Sequence, residues 1–226
     1  MKRNIRGAVF DLDGTLLRTE IFQYLGWKVP LHDRFGANLT IEEYSRRHCG
    51  KSSNEIAPAL ISRFRLKTTP EELISEKEKL LPIWYRSRKL AWCPYARTAL
   101  EAFAKSQLRT AVASGSKKSE ILLKLERVDA LDLFNAIASK EDVGGKGKPH
   151  PHIFLYAADK LNIPSHYCVA FEDTRVGVIS AKKAGLYVVA IPNEFTLLQD
   201  FSQADEVFSS FRQAMPLIKS MIISSS

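Results

Sequence analysis

The chain has 226 residues, 45% hydrophobic and 26% charged, an ordinary balance for a soluble globular protein with one compact domain or a core carrying a smaller insertion. No stretch of about 18 apolar residues occurs, which excludes a membrane-spanning helix, and only Gly7-Ala8-Val9-Phe10 separates the basic start from Asp11, which is too short for a signal peptide. The net charge of +8 comes without a block of consecutive basic residues or interleaved aromatics, so it points away from nucleic acid and suits either a small anionic partner or a merely basic surface.

In chain order, Ala8-Val9-Phe10 reads as a short buried strand that runs into Asp11. From Leu17 to Leu90 the pattern is helical and offers no convincing strand. Thr40-Ile41-Glu42-Glu43 and Thr69-Pro70-Glu71-Glu72 look like helix starts. This stretch holds 14 Lys or Arg against 9 Asp or Glu, so five of the eight net charges lie in it. Leu100, Phe103 and Ala104 then share a helical face. Thr110 to Ala113 forms a second apolar run and ends at Ser114-Gly115-Ser116. Ile121, Leu122, Leu125 and Val128 fit the next helix, and Phe134 to Ala138 the third strand. Gly144 to Lys148 is a loop before a helix through Ile153, Phe154, Ala157, Ala158 and Leu161. Cys168 to Phe171 runs into Glu172-Asp173. Val176, Ile179 and Ala184 mark a further helix closed by Gly185, and Leu186 to Ile191 runs into Pro192-Asn193. The tail from Ser220 to Ser226 is expected to fray.

This alternation implies an α/β fold: a doubly wound, Rossmann-like parallel sheet with right-handed crossovers. Residues 1–16 and 91–226 are expected to form the core, and 17–90 an inserted α-helical cap. Cys49, Cys93 and Cys168 are odd in number and widely spaced, which argues against a disulfide framework and for a reducing, cytoplasmic setting.

Four polar clusters stand where apolar strands end. Asp11-Leu12-Asp13-Gly14-Thr15 places two carboxylates at i and i+2, facing one pocket. Their mutual repulsion calls for a hard divalent cation, and the alternative is a polar turn. Ser114-Gly115-Ser116 offers a hydroxyl and free N–H groups at a helix start, which suits a phosphate but also an ordinary cap. Gly147-Lys148-Pro149 holds a lysine able to screen an anion's approach to Asp11. Lys146 is its competitor, and Pro149 favours Lys148 by restricting its backbone. Glu172-Asp173 completes a hard-metal set with Asp11 and Asp13, with an acidic loop or an Asp173 N-cap as the plain reading. In an open parallel sheet, ligands bind beyond the carboxyl ends of the strands, so the four clusters can converge.

With these motifs in this order, the chain resembles the haloacid-dehalogenase superfamily, in the branch of β-phosphoglucomutase and small sugar-phosphate phosphatases. The resemblance implies a phosphatase of the cytoplasm that acts on a small phosphorylated metabolite with Mg2+. Asp11 would attack phosphorus, and Asp13 would protonate the leaving oxygen and then activate water. Ser114, the Gly115 N–H and Lys148 would hold the phosphoryl group. The metal would lie on Asp11, Asp13 through its backbone carbonyl, and Asp173, with Glu172 as an outer partner. The alternative is a sugar-phosphate mutase. Gln23 stands where the mutases have histidine, and Ser53 where they have a cap arginine; Lys51 is a possible substitute for the latter. Arg18 and His152 replace residues that are commonly aspartate. C–halogen hydrolysis needs neither Asp13 nor Asp173, and a catalytically silent binding module needs none of the set. His150 and His152 read as a solvated loop feature.

Overall fold

The structure, a computed structural model, describes residues 4–106 and 108–223. Five strands follow the predicted apolar runs: β1 (Gly7–Phe10), β2 (Arg109–Ser114), β3 (Ala136–Ser139), β4 (Cys168–Glu172) and β5 (Tyr187–Ala190). A sixth, β6 (Glu206–Val207), consists of two exposed residues and no apolar run announces it. All pairings are parallel, in the order β3-β2-β1-β4-β5-β6. The chain winds outward from β1 to β3, then crosses back to lay β4 on the other side of β1. That reversal opens a crevice at the carboxyl end of β1.

Side chains alternate across the sheet, so β1 feeds both layers of the core. Phe10 lies on one face with α5 (Ala96–Ala104), α6 (Lys118–Arg127) and α9 (Phe211–Ile223), stacked on Phe171 with ring centroids 4.8 Å apart. Val9 lies on the other, against α7 (His152–Lys160) and α8 (Arg175–Lys183). The tail departs from expectation. Residues 220–223 belong to α9, anchored by buried Phe211, Ala214, Ile218 and Met221, while residues 224–226 lie outside the described ones. Two helical faces also differ from the sequence reading. The buried stripe of α6 is Ile121, Lys124 and Leu125, followed by Val128, with Leu122 outside the core. In α8, Gly177, Val178, Ser180 and Ala181 face inward, and Val176 and Ile179 are half-buried.

Between β1 and α5 stand four helices and no strand: α1 (Glu20–Phe35), α2 (Ile41–Arg47), α3 (Ser53–Phe64) and α4 (Pro70–Ser87). They form the α-helical cap. The Thr40 hydroxyl accepts from the Glu43 N–H at 3.1 Å, and Thr69 and Glu72 cap α4 reciprocally, the start signals read in the sequence. The cap has its own apolar centre, with Trp27, Tyr44, Leu60 and Leu73 among its buried side chains. Its two connections to the core run side by side: the Arg18 N–H donates to the Ala91 carbonyl and the Cys93 N–H to that of Leu16, both at 2.8 Å. The three cysteines are free thiols. No helix among the described residues is long and apolar enough to cross a membrane.

Candidate active site

A cleft of about 480 Å³ lies between cap and core at the crevice beyond β1. Asp11, Asp13, Ser114, Gly115 and Lys148 line it together, although they come from three separate strand ends or loops. Asp11 leaves β1 with its N–H donating to the Phe171 carbonyl at 3.0 Å. Glu172 and Asp173 leave β4 next to it, both without exposed surface. Asp11, Glu172 and Asp173 each place a carboxylate oxygen within 4.8 Å of the others.

Lys148 joins this group from the loop before α7. Its ammonium donates to Asp11 Oδ1 at 2.5 Å and to Glu172 Oε1. Lys146, the other candidate in that loop, is exposed and takes no part in the cleft. Glu172 is further fixed by the N–H groups of Asp173 and Thr174 and by the Thr174 hydroxyl. Asp173 accepts from Thr15 Oγ1 at 2.8 Å and from Asn193 Nδ2 at 2.7 Å. Asn193 also donates to the Gly14 carbonyl at 3.1 Å. Gly14 itself turns at φ 89°, and a Cβ there would stand 2.3 Å from Asp173 Oδ2, so both its backbone and its lack of a side chain are required.

The electrostatics follow from burial. Desolvation pushes the Asp11 carboxyl up to about 7; Lys148 works against this, and the charges of Glu172 and Asp13 add to it. Asp173 is raised well above the ordinary range by burial, then by Asp11 and Glu172. Lys148 is raised in turn, because the two carboxylates outweigh its own desolvation. Three buried carboxylates thus gather beside one ammonium, which pairs with Asp11 and Glu172 and leaves Asp173 without a cationic partner among the contacts described. That excess of negative charge, made of hard oxygen donors, fits a divalent cation of the magnesium class.

Asp13 has different company. Its carboxylate accepts from Lys124 at 2.6 and 2.7 Å, from Thr19 at 2.5 Å, from Ser116 at 2.8 Å and from Ser114 at 3.3 Å. Burial works to raise its pKa, but the Lys124 charge and these bonds prevail and hold it below 3.8. Its carboxylate is not one of the three that gather within 4.8 Å of one another, and Lys124 already neutralises it. Neither Lys124 nor Asn193 belongs to the four polar clusters that the sequence marks at strand ends. The signal for Lys124 was present: a lysine inside the apolar stripe of α6. Asn193 was visible only as a polar residue after β5.

The cap wall of the cleft carries Glu20, Gln23, Trp27, Lys51, Ser53 and Lys77. Lys77 is buried, donates to Ser53 Oγ at 3.2 Å, and packs 4.9 Å from the Trp27 ring. Desolvation pulls it down to about 8. Gln23 Nε2 donates to the Tyr85 hydroxyl at 3.1 Å. Arg18 is turned away from this cleft and pairs with Glu194 at 2.7 Å on the surface. His150 and His152 are exposed, with ring centroids 6.1 Å apart.

The sequence profile of the haloacid dehalogenase-like hydrolases matches residues 8–191, from β1 to the end of the last long strand. The chain belongs to that family. Within this family it is 29% identical over 186 residues to the phosphorylated carbohydrates phosphatase of Thermotoga maritima, covering 80% of this chain and 82% of that one. Among solved structures it resembles CbbY from Rhodobacter sphaeroides, in complex with phosphate, with a TM-score of 0.79 at 24% identity over 93% and 96% of the two chains. A putative beta-phosphoglucomutase from Thermotoga maritima gives a TM-score of 0.71 at 25% identity over 95% and 99%. These solved haloacid dehalogenase-like structures share the fold, so the chemistry has to be argued from the cleft.

Proposed function

We propose that the protein is a magnesium-dependent phosphatase that hydrolyses a small phosphate monoester through an aspartyl-phosphate on Asp11. The observation that carries this reading is the pairing of two carboxylates in one cleft with separate electrostatic supports. Asp11 sits with Lys148 and the acidic triad, and Asp13 sits with Lys124 and three hydroxyls. One environment suits a nucleophile that receives the phosphoryl group. The other suits a group that handles a proton.

In this reading an Asp11 oxygen forms a bond to phosphorus while the bond to the leaving oxygen breaks. Asp13, ionised at rest beside Lys124, relays to that oxygen a proton that the monoanionic ester brings. Asp13 then takes a proton from water as the water attacks the phosphorylated Asp11, releasing phosphate. Ser114, the Gly115 N–H and Lys148 hold the phosphoryl oxygens. Asp11, Asp173 and the Asp13 backbone carbonyl would hold the cation, with Glu172 behind them. When bound, it supplies positive charge that offsets the crowded carboxylates and the phosphoryl oxygens. The cap, about residues 17–90, closes the cleft against water and selects the substrate. The relative from Thermotoga maritima named for phosphorylated carbohydrates supports this substrate class. Phosphoryl transfer between sugar positions gains nothing here, because Gln23, in the place of the mutases' histidine, carries no titratable proton.

A panel of sugar, polyol and nucleoside monophosphates, with an aryl phosphate as a generic probe, tests the proposal. Phosphate release from at least one natural monoester is expected with magnesium, lost on chelation and restored by readdition. Release that survives chelation, or none from any ester, would contradict it.

The titration of Asp11 supplies a second test. Its ordinary value of 3.8 becomes about 7 in the fold, so the folded state keeps a proton that the unfolded chain has released. The stability tied to that proton is present below about pH 4 and is lost as pH climbs to about 7. A cation takes over once the carboxylates ionise. Saturating magnesium is therefore expected to raise the melting temperature of the metal-stripped protein by several degrees more at about pH 8 than at about pH 5. Equal gains at both would place the magnesium elsewhere.

A further inference from the structure

Lys124 has no task in the reaction just described, yet it is built into the site. Its side chain has no exposed surface. Its ammonium spans both oxygens of Asp13 and donates to Ser116 Oγ at 3.0 Å. The ring of Tyr85, a buried residue of cap helix α4, faces it at 4.8 Å. A second tie joins the same two helical regions, where Lys117 meets Glu78 at 2.7 Å.

A buried ion pair is weak ground for stability, because apolar side chains of similar volume often replace one without loss. Its place in the apolar stripe of α6 therefore asks for another explanation. The Asp13 carboxylate offers about four lone-pair positions, and its other donors are hydroxyls, which can swing to other acceptors. Thr19 Oγ1 also reaches the Leu17 carbonyl at 3.4 Å, and Ser114 Oγ accepts from the Ser116 N–H at 3.1 Å. Lys124 alone is charged and contacts both oxygens, so it fixes the plane of the carboxyl.

We propose that Lys124 is a positioning residue. It holds the Asp13 carboxyl against the Ser114–Ser116 loop, within reach of the oxygen that leaves phosphorus, and Tyr85 holds Lys124 in place. The inference rests on the phosphatase reading, in which Asp13 passes a proton to the leaving oxygen as that oxygen parts from phosphorus. Such delivery matters for an alkyl ester, whose leaving group is a poor anion. It matters little for para-nitrophenyl phosphate, whose phenolate leaves unaided.

The test compares kcat/KM of the wild type, Lys124→Met and Lys124→Gln on both kinds of ester, the alkyl ester being one that the wild type hydrolyses. For Lys124→Met a fall of about 100-fold or more is expected on the alkyl ester, and of less than about fivefold on the nitrophenyl ester. Lys124→Gln keeps an N–H donor and should retain more of the alkyl rate. Equal losses on both esters, no loss on either, or two variants that do not fold would give Lys124 a structural role and overturn the inference. A wild type that releases phosphate from no alkyl ester removes the phosphatase reading itself, an outcome distinct from the others.

Discussion

Asp11→Asn is expected to leave the protein folded while cutting turnover of every phosphate monoester by at least about 10⁴-fold. The amide has the shape of the carboxylate but no anionic oxygen with which to attack phosphorus. The same change relieves the site electrostatically. Asp11 is 6% exposed and one of three crowded carboxylates, and its ionised form is disfavoured by burial and by Glu172 and Asp13. Lys148 loses one partner but keeps Glu172. The metal-free variant should therefore melt no lower than the wild type near neutral pH. The asparagine weakens the cation set, so the stabilisation by magnesium should shrink. Phosphate release and thermal melting read the two halves separately. More than about 1% residual turnover would remove Asp11 as the nucleophile, whereas lost turnover together with a collapsed fold would show that its role is structural.

The parts of the fold that were legible from the sequence share one property: their signal is local. β1, β2 and β4 are apolar runs that stop at polar residues, and burial on both faces of a parallel sheet leaves that mark. Thr40 and Thr69 announce helices because capping is settled within four residues. β6 left no mark, because its two residues are exposed and form the edge of the sheet, paired only with β5. The end of α9 was obscured by the serines that follow it, although Phe211, Ala214, Ile218 and Met221 keep a helical period. The inward face of α8 is not legible in the sequence, because a large side chain signals burial and Gly177 has none. In the cleft, residues that close each strand could be named from order alone. Lys124 and Asn193 required knowing what lies opposite them. Asn193 meets Asp173 across 20 positions and Gly14 across 179, separations that only the assembled sheet brings together.

Gly177 turns that missed face into the second large effect. Judged by helix propensity alone, Gly177→Ala in α8 should stabilise by about 1 kcal/mol. The structure predicts the opposite. A Cβ at this position would stand 1.9 Å from Glu172 Cδ and 2.0 and 2.1 Å from its two carboxylate oxygens. A flexible side chain could normally move aside, but Glu172 is fully buried and held by Lys148, by Thr174 and by the Asp173 N–H. Making room for the methyl group means breaking those bonds or straining the contact of α8 with the sheet. Lost buried hydrogen bonds at roughly 1–3 kcal/mol each, with overpacking of similar size, outweigh the propensity gain and leave a net loss of about 3 kcal/mol or more. For a chain of this length that is a fall in melting temperature of roughly 6–12 °C. Gly147→Ala is the control for stability, since nothing lies within 4 Å of a Cβ there. Because the displaced group is Glu172, the loss should extend to magnesium affinity and turnover, which a purely mechanical defect elsewhere in α8 would spare. A Gly177→Ala protein that melts like the wild type and keeps its activity would mean that Glu172 does not stand behind Asp11 and Lys148, and the charge argument for the cation site would lose its third carboxylate.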